Sequence, residues 1–222
     1  MPFQIDPIIP FQGNEDFTRI SPLRRIPVFI DGQVTLGDST AIGEYLDERY
    51  PLPPLFPKMP AARAQARWLE EFADSRMGDV FIWRIFNVAV IRPAVLKQPR
   101  DDAAIGETLR DELPPIMDYL ESVAPGDGFA CGDLALADIA IAVHFANLRW
   151  SRTAADLSPW PKTIAWIDRV ERTPALAKLT SLAERAMTVR RAEWRALYGE
   201  MGIALSETTY AGQGFRKGPM SV

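Results

Sequence analysis

The sequence predicts a small α/β segment at the front of the chain, followed by a larger all-α domain. Three observations carry that expectation. Asp31-Gly32-Gln33 separates two β-favouring runs, Val28-Phe29-Ile30 and Val34-Thr35-Leu36, and Asp-Gly between such runs is a strong hairpin signal. A proline-rich stretch from Pro51 to Pro57 (PLPPLFP) closes the front part, and nine of the 19 prolines lie in the first 57 residues. Beyond it, apolar residues recur every three or four positions, the spacing of an amphipathic helix.

Taken in order, Phe3-Gln4-Ile5 alternates as a short strand does, and the hairpin follows. Asp38 and Ser39 then precede a helical pattern in which Ile42, Tyr45 and Leu46 share one face. Pro lacks a backbone N–H and restricts the residue before it, so the Pro51–Pro57 stretch reads as an extended linker. The next helix carries Ala62, Ala66, Leu69, Ala73, Met77 and Val80, and Pro93 is expected to kink or end it. A pattern over Ile105–Val123 contains Pro114-Pro115, which must kink or split it. Ile139–Leu148 is apolar nearly all round, as a buried central helix is. Trp160, Ile164, Ile167 and Val170 form another stripe, and Leu176–Leu197 the last. Ser206–Val222 has no periodicity and is expected to be mobile or draped over the surface. The expected division is therefore 1–52, a linker at 53–60, an all-α domain at 61–205 and an irregular tail at 206–222.

Composition excludes several classes. The 222 residues hold 25 Lys plus Arg against 29 Asp plus Glu, a formal charge of −4, which argues against a protein that works by neutralising nucleic-acid phosphates. One Cys rules out an internal disulfide framework, and one His makes a multi-His metal site impossible. No apolar run approaches the roughly 20 residues of a membrane span, and the acidic, proline-containing start does not read as a targeting peptide. A soluble protein of a reducing compartment, with no metal, nucleic-acid or membrane partner, is expected.

Two short features carry chemistry. Ile26-Pro27 stands just before the first hairpin strand, and X-Pro bonds are where cis peptides occur. A cis bond there turns the N–H and C=O of Ile26 outward, ready to add a bound peptide as an extra strand; an ordinary trans proline at a strand start is the other reading. Asp38-Ser39 lies at a strand-to-helix junction, where free N–H groups and the helix dipole favour an anion, while a plain helix cap is the alternative.

Together, these residues resemble the glutathione transferase family. Ser21-Pro22-Leu23-Arg24-Arg25-Ile26-Pro27-Val28 is similar to the family's N-P-x-G-K-[IV]-P run. Asp38-Ser39-Thr40-Ala41-Ile42-Gly43-Glu44-Tyr45-Leu46 is similar to its [ED]-S-x-A-I-x-x-Y-L motif. The stretch from Phe129 to Ala140, with Asp138, is similar to the core-helix signature G-x-x-[ST]-x-A-D-I, except that Ala135 stands at the usual Ser or Thr cap. The resemblance spans about Phe3 to Leu197. It implies a thioredoxin-like α/β domain followed by an all-α domain, a cytosolic homodimer, and conjugation of glutathione, the co-substrate, to a small hydrophobic electrophile. It also implies that Ile26, before cis Pro27, pairs with the cysteinyl backbone of glutathione. Asp38 and Ser39 would hold the γ-glutamyl end, and Arg25 the glycyl carboxylate. Asp138 would be structural. Trp83, Phe86 and Asn87, with Ile91 and Arg92 nearby, would border the electrophile pocket, with ordinary core or dimer packing as the alternative.

Members of the family open with a strand, a turn carrying a catalytic Tyr, Ser or Cys, and a helix. Here the start already resembles the second strand, so the domain is expected to lack its first strand and helix and, with them, the residue that activates the thiol. A longer natural protein and a noncatalytic binding module both remain open on that basis. Cys131 and His144 are expected to be packing residues rather than substitutes for that group.

Overall fold

The computed structural model describes residues 1–9, 11–216 and 218. It divides into two compact units: Met1–Arg49 together with the chain from Ser181 onward, and Tyr50–Thr180. This differs from the expected division, because the last stretch of helix and the non-periodic tail group with the front of the chain.

In the first unit, α1 (Glu15–Ile20) begins at Asn14, whose Oδ1 accepts the Phe17 N–H at 2.9 Å. This helix leaves no periodic signal in the sequence because it presents one buried residue, Phe17. The hairpin forms as expected: β1 (Phe29–Asp31) and β2 (Val34–Leu36) pair antiparallel with Asp31 opposite Val34. Gly32 has a φ of 60°, which the tight two-residue turn requires. Helix α2 (Ser39–Arg49) follows, and Tyr45 ties it to the hairpin through a 2.8 Å hydrogen bond from its hydroxyl to Asp31 and a tilted ring contact with Phe29.

Ile5 makes an isolated parallel bridge with Leu205, and Gly13 an antiparallel one with Ala211. The tail is thus draped along the front of the chain by backbone hydrogen bonds. Helix α9 (Trp194–Glu200), entered through a 3-10 turn at Arg191–Glu193, leads into it.

The second unit is all helical. Helix α3 (Pro60–Phe72) runs on into a wider coil over Ala73–Leu96, in which each N–H bonds to the fifth residue back rather than the fourth. With more residues per turn, an every-fourth stripe stays on one line, and Ala73, Met77, Phe81, Ile85 and Ala89 are all buried. This helix contains Pro93 and continues to Leu96, stopping where Lys97 turns left-handed at φ 57°. The two prolines split the next pattern as expected, into α4 (Asp102–Asp111) and α5 (Leu113–Val123), with proline in the first turn of α5 where its missing N–H costs nothing. Helices α6 (Leu136–Trp150) and α7 (Pro161–Glu171) complete the core, and α8 (Pro174–Ala186) crosses the boundary between the units. Trp166, Phe81, Met77, Met117 and Ile141 are fully buried at its centre.

Candidate functional site

Ile26-Pro27 is a cis peptide. Ile26 is 44% exposed, and among the described residues its backbone makes no hydrogen bond. The turn before it is held by Ser21, a buried residue whose hydroxyl donates to the Arg25 carbonyl at 2.9 Å and accepts from the Arg25 N–H at 3.0 Å. One side chain thereby closes both backbone groups of Arg25, the residue just before Ile26. Arg25 itself is exposed. Arg24, with φ 56°, turns inward instead: it is 6% exposed, and its guanidinium donates to the Gly13 carbonyl at 2.7 Å and to the Thr18 hydroxyl.

Asp38 and Ser39 are both exposed at the start of α2. Asp38 caps the helix: its Oδ1 accepts the Ala41 N–H at 3.0 Å, and its carbonyl accepts from Ile42 at 3.0 Å. A carboxylate holds two oxygens, so capping with one does not exhaust it. Ser39 has no hydrogen-bonded side-chain partner among the described residues. Gly37 abuts the Ser21 hydroxyl, 3.9 Å from where a Cβ would stand, so the junction carrying Asp38 and Ser39 lies against the turn carrying Arg25 and Ile26.

Sequence reasoning missed Ser21 and Arg24 as positioning residues. Ser21 opens the run that resembles the family's, but only the fold shows its hydroxyl gripping Arg25. Replacing it, Ser21→Ala, is expected to cost about 0.5–1.5 kcal/mol by removing both hydrogen bonds that hold the partly buried turn, measured by urea unfolding. A change within 0.3 kcal/mol would contradict that role.

Trp83, Phe86 and Asn87 lie half-buried on the wide helix of the second unit. Among the described residues, that unit holds a cavity of about 250 Å³ between α6, the following loop and α7, and another of about 430 Å³ between residues 54–62 and 131–135. Neither is lined by those three residues. Cys131 borders the second cavity, and burial, with Asp138 nearby, pushes its thiol up. His144 is 4% exposed beside Phe81.

Asp138 is fully buried at the start of α6. Its carboxylate accepts the N–H groups of Ala130 at 2.9 Å and Ala135 at 2.9 Å and the indole N–H of Trp166 at 2.7 Å. Burial raises its pKa, and these three donors pull it back only in part. Ala135 has no oxygen with which to return the cap. Among the described residues no group of three or more His, Cys, Asp or Glu is placed to hold a metal, and no helix is long and apolar enough to cross a membrane.

Residues 1–54 match the family model described as the glutathione S-transferase N-terminal domain, and residues 90–181 that of its C-terminal domain. The rat (Rattus norvegicus) protein named maleylacetoacetate isomerase is 31% identical over 160 residues, covering 71% of this chain and 68% of its own. The chain belongs to the glutathione S-transferase family. Its thioredoxin-like front and all-helical second domain are the fold of that family. A stringent starvation protein A homologue of Haemophilus ducreyi is 40% identical over 67 residues, 30% of this chain and 31% of the relative, so the match spans about a third of that protein. A glutathione S-transferase structure from Sinorhizobium meliloti superposes with a TM-score of 0.65 over 82% of each chain at 24% identity. Glutathione transferase F7 of Populus trichocarpa does so with a TM-score of 0.67, covering 76% of this chain and 79% of its own at 19% identity.

Proposed function

We propose that this transferase-family chain binds glutathione on its front unit and presents the thiol to a small apolar electrophile. The backbone of Ile26, a 44% exposed residue that makes no main-chain hydrogen bond among the described residues, carries the reading, since an extended tripeptide adds to such a segment through main-chain hydrogen bonds. Asp38 and Ser39 supply the second grip: the Ser39 hydroxyl and the positive end of the α2 dipole suit the γ-glutamyl carboxylate, and the second oxygen of the Asp38 carboxylate suits its ammonium. Arg25 is exposed on the neighbouring turn and supplies a charge for the glycyl carboxylate. Trp83, Phe86 and Asn87 are the residues proposed to face the electrophile. A cytoplasmic homodimer, using no metal, completes the proposal.

Calorimetric titration with glutathione tests the binding step. Ser39→Ala is expected to weaken binding about tenfold or more, since a hydrogen bond to a charged group contributes about 1.5–3 kcal/mol. Equal affinity for the two proteins would remove Ser39 from the site, and no binding to either would remove the function.

A binding module without turnover is the second reading. Arg25, Ile26, Asp38 and Ser39 all grip the ligand, whereas thiolate formation at neutral pH needs a donor or positive field at the sulfur, a role none of them is given. The rat relative's name also brings in isomerisation of a small unsaturated acid as a reaction for the same thiol. Binding accompanied by conjugation of a chloronitrobenzene, or by isomerisation of maleylacetoacetate, favours an enzyme; binding with neither favours the module.

A further inference from the structure

We propose that the C-terminal segment Ala204–Arg216 holds the glutathione-binding turn in place, acting through one peptide group at Gly13–Asn14 and the buried Arg24. The inference rests on the reading of residues 25–39 as that site.

The segment is stitched to the front of the chain along its length. Ile5 donates to the Ala204 carbonyl at 2.9 Å and accepts from the Ser206 N–H at 3.1 Å. Asp6 accepts the Thr209 hydroxyl at 2.8 Å and the Tyr210 N–H at 2.7 Å. Gly212 donates to the Gln12 carbonyl at 2.5 Å, and Arg216 to that of Phe11 at 2.8 Å. Phe215 packs its ring 5.5 Å from that of Phe11, and Arg216 pairs with Glu15.

The peptide joining Gly13 to Asn14 is the point of transmission. A planar trans peptide directs its N–H and C=O to opposite sides. Here the N–H of Asn14 donates to the Tyr210 carbonyl at 2.7 Å, while the carbonyl of Gly13 accepts from Arg24 at 2.7 Å. The tail grips one side of a single rigid plate, and Arg24 the other. Arg24 cannot let go without cost, because a buried guanidinium that loses an acceptor has no water to replace it. The next residue after Arg24 is Arg25, clamped by Ser21, and then Ile26 with its open backbone. A shift of the tail therefore turns the plate, frees Arg24 and loosens the turn that presents Ile26. Gly212 approaches the same plate so closely that a Cβ would stand 3.0 Å from the Gly13 oxygen and 3.1 Å from the Asn14 nitrogen. Only glycine fits there without displacing the backbone.

The test is a double-mutant cycle on the full-length protein with Gly212→Val and Arg24→Leu, reading amide hydrogen exchange and glutathione affinity. Each single variant is expected to speed exchange of the Arg25 amide and to weaken glutathione binding about tenfold, while amides of α6 keep their wild-type protection. The double variant is expected to be no worse than Arg24→Leu alone, since both act through one peptide. Losses that add, or an Arg25 amide unchanged in Gly212→Val, overturn the proposal. Should Gly212→Val fail to fold, Asp6→Asn weakens the same anchor more gently and takes its place in the cycle. Should the wild-type protein not bind glutathione, the proposed function fails by itself, and the exchange cycle alone still decides whether the tail holds the turn.

Discussion

Asp138→Ala is expected to lower the stability of the helical unit by about 4 kcal/mol or more. The substitution leaves the N–H groups of Ala130 and Ala135 and the indole N–H of Trp166 facing a space without water. An unmet buried donor costs about 1–3 kcal/mol, so three of them outweigh what is regained by no longer burying a carboxylate. At about 2–4 °C per kcal/mol for a chain of this size, the midpoint of thermal unfolding should fall by about 8–16 °C. Asp138→Asn keeps one good acceptor and should lose roughly half as much. Urea unfolding followed by tryptophan fluorescence measures both. A loss below about 1 kcal/mol in the alanine variant would mean that the carboxylate is not what joins α6, α7 and the loop before them.

Acid should weaken the fold through His144. Burial lowers its pKa from 6.5 to about 4, with a backbone hydrogen bond at Ala73 opposing the shift. Between those values the unfolded chain binds a proton that the native state refuses. Stability therefore falls as the pH drops from 6.5 toward 4, by about 3 kcal/mol in total. Asp138 has the opposite slope. Its raised pKa means that the native state holds a proton more readily than the unfolded chain, so its contribution is greatest in acid and is lost as the pH rises through the native value. The two are separated by comparing the wild-type protein with His144→Asn at each pH. The difference in stability between them should shrink or reverse toward pH 4, and a difference that stays flat over this range would refute the assignment.

The hairpin, α2 and the helical unit were legible because each shows itself locally: an Asp-Gly turn, an Asp cap before an apolar stripe, and stripes of period three to four. The prolines at 114 and 115 were correctly read as a break, since their missing N–H groups act on the helix that contains them. Pro93 was read by the same rule, but the helix runs on to Leu96. A widened coil is a property of the whole packed segment, not of any residue in it. At the candidate site, the sequence pointed to Ile26-Pro27 and Asp38-Ser39 as candidates, but not to the side chains packed around them. Ser21 and Arg24 act through partners at Arg25 and Gly13, and such pairings leave no periodic trace. The tail was the hardest to read. Ser206–Val222 lacks an apolar stripe, and the attachment of Ser206–Arg216 to the front of the chain runs largely through main-chain groups, which every sequence possesses alike.

Because the front unit combines the first 49 residues with the chain from Ser181 onward, a ribosome cannot deliver it in one piece. The helical unit, continuous from Tyr50 to Thr180, emerges whole in between and can fold as one stretch of chain. Its folding shortens the loop that must close before Ile5 meets Leu205, and so reduces the entropic cost of that closure. Until then the nascent front segment waits with an open strand edge, a period in which it is exposed to chaperones and to mispairing with other chains. The stretch from Ser181 onward thus completes the unit that residues 1–49 begin.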